Sequence, residues 1–399
     1  MVLALTASSP PVVRGAAPAI AARLRAGARV AALTGAGISV ASGIPDFRSP
    51  GGLYATLRPE LLTASAAERA LMRAQPTAVV SWALFEKNQL PYLEVRRPFI
   101  LGTLSRRWRP TLAHAFFLLL QRRGQLVRLY DQNIDGLADA AGIGAGASAG
   151  PEAGRLVHVH GSLSRVECEA CGAAADFGEF ARKLESCVKD IYAVAAAPTA
   201  AASANAAASA AGPAKVSAPA VSQPITCASC GENAVKPATV LYGRGLPEAF
   251  FRARELDFPD GIDVLIIAGT SLTVSPANAL PQCVAKATPR LVINAEAVGE
   301  DLGLDFGRGA ETEAAATEAS AHAAAAAAGA RDGLLLGSCD AGFLLLAREC
   351  GWLGELRDAA AAMPSPLCDA SGAALSAALA ADAACLGSGG RGGGGFGNS

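Results

Sequence analysis

Five apolar runs in this chain each stop at a cluster of glycines and small polar residues, and this recurrence limits the possible folds more than any other feature. Residues 30–33 run into Thr34-Gly35-Ala36-Gly37, and 125–130 run into Asp131-Gln132-Asn133-Ile134-Asp135. Residues 262–268 end at Gly269-Thr270-Ser271, 290–293 at Asn294-Ala295-Glu296, and 333–336 at Gly337-Ser338-Cys339-Asp340. Short continuous apolar runs are the signature of strands buried on both faces, as in a parallel sheet. The carboxyl ends of such strands share one edge, and that edge is where an open α/β sheet takes its ligand. Helical spacing in 17–26, 59–74, 76–88, 110–123 and 344–352 supplies crossovers, with Leu112, Phe116, Phe117 and Leu120 read as core. The expected fold class is therefore α/β, built on a Rossmann-like parallel sheet.

The first of these clusters opens a long polar loop, 34–54, with Asp46, Phe47 and Arg48 at its middle. Glycines spaced as Gly35 and Gly37 let a backbone turn tightly and approach a ligand. The dinucleotide fingerprint wants a third glycine at position 40, where this chain has Val40. On the pattern alone, a structural strand-to-helix turn fits as well as a phosphate site.

Cysteine spacing gives a sharper signal. Cys168-x-x-Cys171 and Cys227-x-x-Cys230 form two knuckles, each followed by a glycine, Gly172 and Gly231. Four thiolates make a closed tetrahedral site for one structural zinc ion, because no position stays open for chemistry. The long spacing between the knuckles is explained by 193–221, a stretch of Ala, Ser and Pro read as a disordered insertion. Cys187, Cys283, Cys350, Cys368 and Cys385 have no partner at ligand spacing and read as buried or incidental thiols. A net charge of -1 gives no pull toward nucleic acid or an anionic membrane, and direct nucleic-acid binding is not expected. No strongly apolar run is long enough for a membrane span. No secretory leader is evident, so the expected setting is intracellular: cytoplasm or nucleus, with an organelle left open.

His158 and His160 close the short extended segment 155–160, and two-residue periodicity does not choose between them as a functional base. The stretch GAGISVASGIPDFRSPGGLY, the run Gln132-Asn133-Ile134-Asp135-Gly136 and Val159-His160-Gly161-Ser162 together resemble the sirtuins, NAD-dependent protein deacylases. The resemblance covers residues near 20 to 352 apart from the two low-complexity insertions, with every motif in family order.

The resemblance implies a catalytic pair, His160 as base and Asn133 beside the nicotinamide ribose with Gln132. It implies NAD contacts from Gly35, Ala36, Gly37, Ile38, Asp46, Phe47, Arg48 and Tyr54. Ile134 and Asp135 would meet the nicotinamide carboxamide, and Gly269, Thr270 and Ser271 the adenosine phosphate and ribose. Asn294 and Glu296 would serve the adenine ribose and Cys339 the adenine. Phe47, Ile134, Val240 and Tyr242 would line the tunnel for the acyl-lysine of a histone or non-histone protein, which adds as a strand. The products would be nicotinamide, O-acyl-ADP-ribose and free lysine. Protein mono-ADP-ribosylation and a non-catalytic NAD-binding scaffold are the alternatives. Two departures stand in the substrate segment: Lys-Pro-Asp-Ile-Val has become Lys236-Pro237-Ala238-Thr239-Val240, and Gly-Glu has become Gly243-Arg244. No Tyr-x-x-Arg pair follows the loop, which argues against a pocket for acidic acyl groups.

The expected organisation is a tail at 1–14; a discontinuous NAD domain at 15–163 and 232–352 with a helical insertion near 55–95; a zinc domain at 164–231; an Ala-rich insertion at 310–330; and a low-complexity tail at 353–399.

Overall fold

The computed structural model describes residues 10–44, 52–145, 154–192, 218–307 and 331–388. Among these residues ten strands fall in the order β1 (Val12–Gly15), β2 (Val30–Thr34), β3 (Leu126–Asp131), β4 (Leu156–His158), β5 (Gly161–Cys168), β6 (Ala174–Ala175), β7 (Val235–Thr239), β8 (Val264–Ala268), β9 (Arg290–Asn294) and β10 (Gly333–Leu336). Seven of them build one sheet in the order β1-β10-β9-β8-β2-β3-β4. Every pairing in it is parallel except β1 with β10. The chain steps from β2 outward to β3 and β4 on one side, and from β8 outward to β9 and β10 on the other. The order therefore reverses between β2 and β8, and the crevice at that reversal opens at Thr34 and Ala268.

Helices cover both faces. Ala17–Arg25, Leu112–Arg122, Cys339–Glu349 and Leu353–Ala361 bury Leu24, Phe116, Phe343 and Leu356 on one side, while Glu248–Asp257 buries Phe250 on the other. Two strand arginines are buried without breaking the core, because each is paired: Arg128 with both oxygens of Asp257 at 3.0 Å, and Arg290 with Asp332 at 2.9 and 2.5 Å.

A smaller sheet, β6-β5-β7, is antiparallel. It shares one core with the helical stretch that precedes Leu112–Arg122: Leu62, Val79, Phe85 and Tyr92 pack with Leu163, Phe180, Ile225 and Leu241. Among the described residues no helix is long and apolar enough to cross a membrane.

Several boundaries differ from the sequence reading. Residues 12–14, expected in a tail, belong to β1, whose four residues pair with β10 along its whole length. The tail expected at 353–399 instead begins with helices Leu353–Ala361 and Asp369–Ser388, which bury Leu356, Cys368, Ser371 and Leu375. Their apolar surface is largely alanine, so composition alone read as low complexity. The zinc module extends past 164–231 in both directions, because its sheet starts at Gly161 and closes at Thr239. β7 ends at Thr239, so Val240 and Tyr242 follow it outside the sheet. Helix Leu90–Leu104 was hidden by Pro91 and Pro98, the first at its N-terminus and the second inside it. The insertion at 310–330 and most of 193–221 lie outside the described residues.

Candidate functional site

The crevice is formed by backbone before any side chain enters it. Gly35 N–H donates to the Ala268 carbonyl at 3.0 Å and Gly37 N–H to the Gly269 carbonyl at 2.8 Å. The two loops touch so closely that a Cβ on Gly37 would lie 2.5 Å from Gly269 Cα. One on Gly269, which has φ +62°, would lie 2.4 Å from the Ile38 nitrogen. The close approach that a third glycine at position 40 would normally serve is thus supplied by Gly269, from the neighbouring strand. Ala36–Ser42 then forms a 3-10 turn with Ile38 and Ser39 buried.

Polar groups from β3 floor this crevice. Asn133 Nδ2 donates to the Gly35 carbonyl at 3.1 Å, and Ser39 Oγ donates to Asp135 Oδ2 at 2.7 Å. Thr34 Oγ1 and the Asn133 N–H both donate to Asp131 Oδ1, at 2.9 and 3.1 Å. Thr270 Oγ1 donates to Gln132 Oε1 at 2.8 Å. Burial, reinforced by the charge of Asp135, pushes the Asp131 carboxyl up to about 7. Burial also raises Asp135, against the hydrogen bonds from the Leu137 N–H and Ser39.

The two histidines separate cleanly. β4 ends at His158, and His160 sits in the following turn, so they do not share a strand face. His158 Nε2 lies 3.2 Å from Asp139 Oδ1; burial opposes its charge, but Asp139 and Asp131 together raise its pKa. His160 Nδ1 lies 2.8 Å from the Gln132 carbonyl. A carbonyl only accepts, so Nδ1 carries the proton and Nε2 presents its lone pair. Burial lowers the His160 pKa, against the raising effect of that hydrogen bond.

The four cysteine sulfurs of the knuckles lie within 4.8 Å of one another. Cys168 to Cys230 is 3.7 Å and Cys171 to Cys227 is 3.8 Å. With Zn–S bonds of about 2.3 Å, the edge of a tetrahedron is about 3.8 Å, so the donor set fits one zinc ion. The knuckles also repeat each other in backbone. Gly172 N–H bonds the Cys168 carbonyl and Gly231 N–H the Cys227 carbonyl, while the Cys168 and Cys227 N–H groups bond Ala173 and Glu232.

A family model described as the Sir2 family matches residues 35–276, from the first cradle glycine into the loop that follows β8. The chain is 31% identical over 327 residues to the NAD-dependent protein deacetylase sirtuin-2 of Danio rerio, covering 82% of this chain and 69% of that protein. It is 34% identical over 278 residues to the NAD-dependent protein deacetylase sirtuin-3 of Mus musculus, covering 69% of this chain and 65% of that one. This chain belongs to the Sir2 family.

The remaining residues expected for a Sir2 site are distributed around the same edge. Gly269 N–H bonds the Ile293 carbonyl at 3.0 Å and Gly337 N–H the Asn294 carbonyl at 2.8 Å, which stitches the ends of β8, β9 and β10 together. Asn294 Nδ2 bonds the Glu296 carbonyl at 3.0 Å, and Ser271 Oγ lies 2.9 Å from Thr273 Oγ1. Cys339 begins its helix buried, with Sγ 3.6 Å from the Ile293 carbonyl and its thiol pushed up to about 12 by burial. Val240 N–H bonds the His160 carbonyl at 2.9 Å, placing 240–242 beside the histidine, and Tyr242 is exposed. Tyr54 packs on the smaller core. Asp46, Phe47 and Arg48 lie outside the described residues.

A small cavity beneath the cradle is lined by Ala36, Ser39, Asn133, Ile134 and Asp135 together with Arg96, Phe99 and Leu163. Arg96 and Phe99 were missed from sequence because they lie on the helix that Pro91 and Pro98 concealed. Ser39 was not singled out either, although it stands two residues after Gly37 in the motif itself.

Proposed function

We infer that this chain removes acetyl, or another apolar acyl group, from protein lysine with NAD as co-substrate. The observation that carries this reading is the state of His160: Nδ1 is committed to the Gln132 carbonyl and Nε2 is left as a base, between Gln132 and Val240. When bound, NAD supplies a cleavable glycosidic bond whose ribose carbon takes the acyl oxygen as nicotinamide leaves.

In this reading the phosphates would be received by the Ala36, Thr270 and Ser271 N–H groups at the switch point of the sheet, because those of Gly35, Gly37 and Gly269 are already bonded to carbonyls. Asn133, held by Gly35, would meet the nicotinamide ribose, and Asp135 with Ile134 would accept the carboxamide. The raised pKa of Asp135 suits a carboxyl that shares a proton with an amide or hydroxyl. His160 Nε2 would take a proton from a ribose hydroxyl so that its oxygen can attack the acylated centre; the lysine amine would leave carrying a proton, and water would complete the O-acyl-ADP-ribose. Cys168, Cys171, Cys227 and Cys230 hold zinc away from the chemistry, and its task is to fold the small sheet. A reducing compartment, cytoplasm or nucleus, suits thiols that must remain available to a metal.

The test is incubation with an acetyl-lysine peptide and NAD, following nicotinamide and peptide mass. Loss of one acetyl per nicotinamide, abolished in His160→Ala, is expected. Nicotinamide release with a gain of ADP-ribose mass on the protein or peptide, and no acetyl loss, would overturn the reading.

A further inference from the structure

The segment that receives substrate in the proposed deacylase departs from its family at Arg244, and the surroundings of that residue give the departure a use. Three charged side chains meet there. Lys236 is fully buried, and its Nζ has three acceptors for its three protons: Glu169 Oε2 at 2.7 Å, the Thr239 carbonyl at 2.7 Å and the Pro237 carbonyl at 3.2 Å. Glu169, within the first zinc knuckle, also accepts from Arg244 Nε at 3.0 Å. The Arg244 guanidinium lies 3.8 Å from the centroid of the Trp82 ring.

The trio carries one positive charge in excess. Lys236 is 0% and Glu169 13% exposed, whereas Arg244 is 43% exposed, so the surplus charge reaches water at Arg244. Stacking on Trp82 and the bond through Nε hold the guanidinium plane in place, and its other two nitrogens have no partner among the described residues. The backbone beside it is ready for an added strand. Val240 N–H is used by His160, and Tyr242 bonds Val80 and Trp82 through its N–H and carbonyl. The Leu241 and Gly243 N–H groups have no partner among the described residues. Arg244 follows Val240 by four residues, a reach of at most about 14 Å.

We propose that Arg244 reads an acidic side chain of the substrate within about four residues of the acyl-lysine, so that this enzyme prefers acyl-lysine in acidic sequence. The proposal rests on the deacylase reading of the cleft. Lys236 matters to it as a positioning residue: by neutralising Glu169 from below, it leaves the charge of Arg244 uncancelled.

The experiment uses the full chain and acetyl-lysine peptides that differ only in carrying Glu, Gln or Lys within four residues of the acetyl-lysine. The expected kcat/KM order is Glu, then Gln, then Lys, with a Glu-to-Lys ratio of about two- to five-fold, the scale of a partly exposed ion pair. The ratio should shrink as salt is added. In Arg244→Gln it should fall to about one, and in Arg244→Glu it should invert. A ratio near one in the parent, or one that survives Arg244→Gln, overturns the proposal. Binding of the same peptides by fluorescence anisotropy gives the charge order independently of turnover. Absence of acetyl loss from the Gln peptide would sink the deacylase reading while leaving the Arg244 preference measurable.

Discussion

The contact between Gly37 and Gly269 sets a stability difference that can be worked out in advance. Gly269 has φ +62° and Gly124, remote from the crevice, has φ +72°. Alanine at either position costs about 1–2 kcal/mol for left-handed backbone. A Cβ on Gly124 meets nothing within 4 Å, so that is its whole cost. A Cβ on Gly269 would lie 2.4 Å from Ile38 N and 2.7 Å from Gly37 C, both backbone atoms. Those atoms must retreat by roughly 1 Å, which adds the cost of overpacking, about 1–3 kcal/mol. The same retreat strains the 2.8 Å bond from Gly37 N–H to the Gly269 carbonyl, worth about 1 kcal/mol more. Gly269→Ala should therefore destabilise by about 3–6 kcal/mol and Gly124→Ala by about 1–2 kcal/mol. Urea unfolding with an unchanged m-value gives both numbers. Where Gly269→Ala folds, its KM for NAD should rise as well. Equal midpoints for the two variants would refute the interlocked cradle.

Three further outcomes follow from the site. Because burial holds the His160 pKa below 6.5, the imidazole stays neutral on the acid side of its ordinary range, and the acid limb of kcat/KM should fall below pH 6.5; a limb above that value would contradict the environment described. Elemental analysis should find one zinc per chain, and Cys168→Ser with Cys171→Ser should remove the zinc and lower the melting temperature; full zinc and stability in that variant would refute the donor set. Burial pushes Asp340 up to about 6, above its unfolded value of about 3.9, so the parent itself loses stability as pH rises through that window. Ser371 Oγ donates to the carboxylate at 2.5 Å, so Ser371→Ala should cost about 1–3 kcal/mol in urea unfolding, most of it above pH 6; a loss independent of pH would show that the bond is not what matters.

What could be read from sequence was whatever a periodic pattern or a short motif encodes locally. β10 falls where its run of leucines placed it, and the cradle, the Gln132–Asp135 floor and the cysteine knuckles were each contiguous. What could not be read depends on distant partners. Nothing near Arg128 announces a buried strand arginine until Asp257, far along the chain, arrives to hold it. β1 exists because β10 offers an edge, and the Asp369–Ser388 helix because Asp340, Pro110 and Ala41 give Ser371 and Cys368 their bonds. The missing glycine at position 40 is the same kind of case: the close approach is made across two strands, so no single motif could contain it.

The placement of His160 explains why a structural zinc belongs in this enzyme at all. Its ring nitrogen is fixed by Gln132, at the end of a strand of the large sheet, and its own carbonyl accepts from Val240, at the end of the small sheet. One residue is thus tied to both halves. The small sheet in turn is short, with β6 only two residues long and β7 an edge strand carrying Pro237. Such a sheet has little hydrogen bonding of its own with which to hold a register. The knuckles close it at Cys168, the last residue of β5, and the Glu169–Lys236 pair carries that fixed point across to the Thr239 carbonyl, next to Val240. In the proposed reaction zinc would therefore act through geometry alone. It would fix Cys168 against Val235, and Lys236 would carry that point to Thr239, beside the segment proposed to meet the substrate.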